Sequence, residues 1–173
     1  VLCASPERFI QKRGDKITSQ PIKGTAKKVH NKKVDEKIVL KLENDLKERA
    51  ENIMIVDLVR NDLSKIATKN SVTVDELCKV YSFENIHQLI STVSCKTKKS
   101  ISFSAIMKAL FPMGSMTGVP KIKAMQLMEK YETTKRGLYS GSIGVIYPNG
   151  DFDLNVVISC LLYTSPSPRD GLL

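Results

Sequence analysis

The chain has 173 residues, 42% hydrophobic and 26% charged, with a formal net charge of +9. These are the proportions of a globular protein, and no apolar run reaches the length of a membrane span. The first fifty residues hold 13 Lys/Arg against 7 Asp/Glu. Without Trp and without a nucleic-acid recognition motif, that excess argues for a solvated face or a small anionic substrate, not for nucleic acid.

The chain opens on Val1-Leu2-Cys3-Ala4-Ser5-Pro6, which reads as the end of a strand. With no initiator Met, the expectation is a fragment of a longer protein. Nothing at the start resembles a secretory leader, and the expected setting is cytoplasmic. Cys3, Cys78, Cys95 and Cys160 lack the spacing of a zinc site or a disulfide frame and read as reduced thiols.

Residues 7–22 read as a hairpin. Arg8-Phe9-Ile10-Gln11 and Lys16-Ile17-Thr18-Ser19 mix polar and apolar residues around the turn pair Gly14-Asp15. Glu7 begins the first strand and the second runs into Pro21-Ile22-Lys23-Gly24-Thr25, so one sheet end can hold a carboxylate and an amine. That stretch predicts a tight turn, with a Pro fixing φ and a Gly freeing it on either side of Ile22-Lys23. Lysine becomes a nucleophile when it is desolvated, which makes Lys23 a candidate. Taken alone, these five residues suit an ordinary surface lysine better.

Residues 27–33 form a basic connection, and from Asp35 the spacing of Ile38, Val39 and Leu42 predicts a helix. A second helix is predicted from about Asp45 to Ile66. Its stretch Ile53–Val59 is apolar almost all round, which predicts burial on most sides. Glu48 and Glu51 stand three apart on one face, where two carboxylates can take Mg²⁺ or simply favour a helix start. Asp57, Arg60, Asn61 and Asp62 are expected to form an internal hydrogen-bonded network.

Short strands are expected at 72–74, 77–82 and 87–93, and a short helix from Ser104 to Leu110. Next comes Met113-Gly114-Ser115-Met116-Thr117-Gly118-Val119-Pro120-Lys121, with Pro120 at a plausible first helical position before Lys121–Tyr131. Such a loop can aim N–H groups at an anion or simply start a helix. A hairpin closes on Pro148-Asn149-Gly150. Its first strand, Tyr139 to Ile146, contains glycines of the kind that admit close approach. Residues 160–173 have no period and resemble translated sequencing adapter, so they are set aside as a non-native tail.

Taken together, Ser5–Phe9, Pro21–Thr25, Arg49–Leu63, Gly114–Lys121 and Tyr139–Gly144 resemble the chorismate-utilising enzymes in order and spacing. The resemblance covers essentially residues 4–159. It implies an α+β fold, part of a chorismate-binding domain with antiparallel sheets and packed helices over residues 1–159. Members that make anthranilate typically carry Ala at position 23, whereas the para-aminobenzoate branch carries Lys. The implied activity is conversion of chorismate and ammonia to 4-amino-4-deoxychorismate on the route to folate, with Lys23 as nucleophile and Glu7 as general acid.

The resemblance further implies Mg²⁺ held by Glu51 with Glu48 in an outer position, and substrate contacts from Ser115, Thr117 and Tyr139. A glutamine amidotransferase is the implied ammonia source, and Asp57–Asp62 a scaffold. The family's usual His is replaced by Gln88, with His87 one place earlier, so His87 reads at least as readily as a core residue. A carboxylate-binding Arg, a Gly-rich strand and a second Mg²⁺ glutamate are expected beyond Ser159, so this stretch alone is expected to be inactive. The alternatives are an anthranilate-forming member of the same family or a non-catalytic basic anion-binding module.

Overall fold

A computed structural model of the chain describes residues 2–3, 5–158 and 160–161. The elements are β1 (Leu2–Cys3), β2 (Arg8–Arg13), β3 (Lys16–Gln20), β4 (Ile22–Lys27), α1 (Lys32–Glu43) and α2 (Leu46–Ser64), then β5 (Thr73–Ser82) and β6 (Ile86–Lys96). They continue with α3 (Phe103–Leu110), a 3₁₀ turn (Gly114–Met116), α4 (Lys121–Tyr131), β7 (Ser142–Ile146), β8 (Phe152–Val156) and β9 (Cys160–Leu161). The fold is α+β, and each strand pairing is antiparallel.

The main sheet runs β4-β6-β3-β2-β8-β7, with β5 on β6. The hairpin β2–β3 turns at Gly14, whose φ of +59° suits a residue without Cβ. Both β3 and β4 lie along the long strand β6, β3 against Lys96 to Val93 and β4 against Ile90 to Ile86. Pro21 stands between them, and its carbonyl accepts from Ser91 N at 3.2 Å. A proline fits there because that position needs no donor.

Alternation sends Ile10, Ile17, Val93, Phe152 and Leu154 to one face, where α2 and α3 cover them with Val56, Leu63, Ile106 and Leu110. Truncating the 1%-exposed Leu63 to Ala would cost about 2–5 kcal/mol. Across five strands the other face carries a polar ladder that runs from β8 to β5. Arg8 donates to Asp153 (2.9 Å) and Gln20 (2.6 Å), Gln20 to Thr92 (3.2 Å), and Thr92 to Glu76 (3.3 Å).

Several expectations are revised. Pro21–Thr25 is not a tight turn but the start of a bulged strand, because β6 supplies a pairing edge. The predicted stretches 72–74 and 77–82 merge into β5, bent by irregularities between Val74 and Lys79. Helix α2 is not buried all round: Ile53 and Met54 are 38% and 46% exposed, and only the stripe Asn52, Ile55, Val56, Asp62, Leu63 faces inward. Asp57 and Arg60 form an exposed ion pair at 2.9 Å, so no single network joins 57–62. Pro120 caps α4 from one position outside it. The expected tail begins at 160, where Cys160–Leu161 pair with Leu2–Cys3; residues 162–173 lie outside the described residues.

Candidate active site

Lys23 sits on β4 opposite Leu89 of β6 and is half-buried. The register breaks between Lys23 and Thr25, and Gly24 takes φ +78° at the break. A bulge re-aims the side chain beside it, so the lysine is held by strand pairing on one side and a kink on the other. Behind it, Asn52 of α2 is fully buried and donates to the Leu89 carbonyl at 3.5 Å. Asn52 also accepts from Ser91 Oγ, which in turn accepts from Cys78 N at 2.8 Å. Each buried polar group thereby finds a partner.

Glu7 precedes β2, and its carbonyl accepts from Val156 N at 3.0 Å. Its side chain is buried, and burial pushes its pKa above the ordinary carboxyl value. The Ser115 hydroxyl and the charge of Lys23 pull the other way without cancelling that effect. A carboxyl that keeps its proton longer than usual is suited to general acid work. Lys23 and Ser115 therefore both lie near enough to Glu7 to act on its carboxyl, although the three come from separate parts of the chain. Ser115 Oγ is buried yet meets no partner in full hydrogen-bond geometry. Glu7, Ser115, Phe9, Pro21 and Ile55 share one pocket.

Glu48 and Glu51 lie in the first turns of α2, whose Asp45 cap accepts from Lys47 N and Glu48 N at 3.0 Å. A Cβ on Gly24 would stand 3.2 Å from Glu48 Oε2, so the absent side chain is what lets the carboxylate approach β4. The Glu51 side chain is 41% exposed, with Lys47 4.0 Å away. Among the described residues no cluster of three or more His, Cys, Asp or Glu could hold an ion by itself. The pair of hard oxygen donors fits a Mg²⁺ that takes its remaining ligands from water and an anionic substrate.

The other expected residues are more dispersed. Thr117 turns its hydroxyl back onto the carbonyls of Met113 (3.3 Å) and Gly114 (3.4 Å). Tyr139 lies in a turn before β7, not in the strand, and its 42%-exposed ring stands 5.9 Å from the Arg136 guanidinium. Its neighbour Ser140 donates to Val157 O, which keeps the turn at the Glu7 end of β8. His87 is 1% exposed and fully satisfied, between Ser82 Oγ (2.8 Å) and Asp35 Oδ1 (3.0 Å). It is a core histidine tying α1 to the sheet. The pairing of Asp62 with Lys121 escaped sequence reasoning, which placed Asp62 only in an internal network. Asn52 was detectable as the one amide on the inward stripe of α2, which it shares with Ile55, Val56, Asp62 and Leu63.

A family model described as chorismate binding enzyme matches residues 1–168, and the chain belongs to that family. It is 43% identical over 163 residues to aminodeoxychorismate synthase, chloroplastic, of Arabidopsis thaliana, covering 93% of this chain and 18% of that protein. It is 40% identical over 164 residues to aminodeoxychorismate synthase component 1 of Salmonella typhimurium, covering 95% and 36%. Among solved structures, anthranilate synthase component I from Streptococcus pneumoniae superposes with a TM-score of 0.78 at 35% identity, over 90% of this chain and 34% of that one. The chain thus spans little more than a third, or less, of these relatives.

Proposed function

We propose that the protein containing this chain aminates chorismate at ring position C4, as an aminodeoxychorismate synthase component I does. The observation that carries this reading is a primary amine, Lys23, held half-buried at a strand bulge and near enough to the buried carboxyl of Glu7 for its charge to act there. The relatives named for that activity support it.

Lys23 Nζ, as the free amine, attacks C2 of chorismate. Both ring double bonds shift by one position, the C4–O bond breaks, and Glu7 gives its proton to the hydroxyl, which leaves as water. Ammonia then bonds to C4, the electrons return, and the C2–N bond breaks to release the lysine. The C4 ammonium hands a proton to the Glu7 carboxylate, which resets the site. Two allylic displacements replace one difficult substitution. The buried Ser115 hydroxyl, which makes no full hydrogen bond beside Glu7, would bond the substrate. Mg²⁺ held by Glu51, with Glu48 outside it, would neutralise the substrate's ring carboxylate.

The relatives' designation as component 1 supports a second subunit, for which a glutamine amidotransferase delivering ammonia is our reading. Among the described residues no helix is long and apolar enough to cross a membrane. A cytoplasmic setting is our reading, although the Arabidopsis relative is named as chloroplastic.

The test is the product that the complete protein makes from chorismate, an ammonium salt and Mg²⁺. 4-Amino-4-deoxychorismate that disappears with Lys23→Ala supports the reading. Anthranilate as product would replace it with the second reading, which the 35%-identical anthranilate synthase favours.

A further inference from the structure

Lys121 is the first residue of α4, and its side chain folds back beneath the loop that precedes it. Nζ has three hydrogens and three acceptors: a carboxylate oxygen of Asp62, the Pro112 carbonyl (2.7 Å) and the Leu110 carbonyl (3.4 Å). The two side chains are only 13% and 7% exposed. The other Asp62 oxygen accepts from Lys65 at 2.7 Å. One ammonium therefore joins the end of α3, the start of the loop and the start of α4 to a fixed point on α2. A buried charge so fully partnered gives little net stability over an apolar substitute, but it fixes geometry.

Between these ends the loop is held twice more. Gly114 lies so close to α2 that a Cβ would come within 2.6 Å of Leu58 Cδ2. Arg136 Nη1 donates to the Met116 carbonyl at 3.0 Å. The Thr117 hydroxyl turns inward onto the loop's own carbonyls. Ser115 alone among these loop side chains turns a buried hydroxyl toward Glu7, close enough to act on its carboxyl but short of full hydrogen-bond geometry. The loop is thus tied at both ends, at Gly114 and at Met116, while Ser115 faces the site.

We propose that Lys121, anchored on Asp62, is a positioning residue for the amination: it holds the 110–121 loop so that the Ser115 hydroxyl is presented to substrate beside Glu7. The proposal rests on the chorismate-amination reading above. It assigns a task to a pair that joins two sequence blocks, Arg49–Leu63 and Gly114–Lys121, and that touches no reacting atom.

The experiment is a double-variant cycle in the complete protein, with chorismate, ammonium and Mg²⁺ and with melting curves recorded for each variant. Lys121→Met keeps the stem and removes the donors, and kcat is expected to fall by roughly 10²-fold, as for other displaced catalytic groups. Ser115→Ala removes the presented hydroxyl. If Lys121 works through Ser115, adding Ser115→Ala to Lys121→Met slows turnover by no more than about twofold further. Where Lys121→Met does not fold, Asp62→Asn carries the same cycle, since it keeps the side-chain shape and removes the anchor's charge.

Losses that multiply, or a folded Lys121→Met or Asp62→Asn enzyme with wild-type kcat, would overturn the positioning role while leaving the amination reading intact. A wild-type enzyme that forms no aminated product from chorismate would overturn that reading, and this inference with it.

Discussion

Gly24 and Glu48 share a crowded space: a Cβ at Gly24 would lie 3.2 Å from Glu48 Oε2 and 3.1 Å from Leu42 Cδ1, so both neighbours would have to give way. The left-handed φ of +78° adds a backbone penalty to that crowding. Gly24→Ala should therefore cost at least about 1–2 kcal/mol. Because the Glu48 carboxylate must move, the variant should also need more Mg²⁺ for half-maximal rate. Denaturant melts and a Mg²⁺ titration of turnover check the two effects separately, and an unchanged Mg²⁺ requirement would remove Glu48 from the metal site.

Lys23→Ala should abolish amination by ammonia while leaving the fold in place. A half-buried strand residue replaced by a smaller one keeps its pairing with Leu89, so stability should change by about 1 kcal/mol or less. Mass spectrometry of the wild-type enzyme quenched during turnover should find a chorismate-derived adduct on the peptide containing Lys23, and none in the variant.

Glu7 should show opposite effects on stability and rate. Its folded pKa is raised above its unfolded value, so the native state binds more protons between the two, and stability falls as pH rises through that window. Glu7→Gln removes the cost of a desolvated charge, so the variant should melt above wild type at pH 7, and the gain should vanish below the ordinary carboxyl pKa. Turnover should fall by roughly 10²–10⁴-fold, the usual worth of a general acid. In the wild type the acid-dependent rate should decline as pH rises through the raised pKa.

His87→Ala should behave in the reverse sense. It empties a fully buried site and breaks hydrogen bonds to Ser82 and Asp35, so a loss of about 2–4 kcal/mol is expected. Turnover per folded molecule should stay within about twofold of wild type, because the ring reaches neither Glu7 nor Lys23 through any bond it makes. A selective fall in kcat at full folding would return a catalytic role to the histidine.

Cys95 should resist alkylation in the native protein. Burial raises its thiol to about 11, and it lies in the core beneath α2 and α3. Iodoacetamide labelling at pH 8 should therefore follow unfolding and not the exposure time of folded protein.

Local signals carried much of the fold. The Gly14-Asp15 hairpin, the limits of α4 and the turn at Pro148-Asn149-Gly150 all follow from residues within a few positions of one another. What escaped depends on distant contacts. Whether Pro21–Thr25 turns or extends is decided by β6, more than sixty residues later. The apolar look of Ile53–Val59 conceals a stripe that only the sheet beneath α2 defines. Asp62 reads as one more member of a charged cluster until Lys121 arrives from the far side of α3. Lys23 and Glu7 were legible as candidates, whereas the buried Ser115 hydroxyl beside Glu7 required the folded loop.

The polar rungs from Asp153 through Arg8, Gln20 and Thr92 to Glu76 make the sheet its own proofreader. Sliding one of these strands by a single residue would swap its two faces and turn its polar rung toward the core of Ile10, Ile17 and Val93. Misaligned pairings thus forfeit both an oily contact and a polar one. The spacing between the amine on β4 and the acid ahead of β2 is consequently inherited from strand alignment and needs no separate clamp.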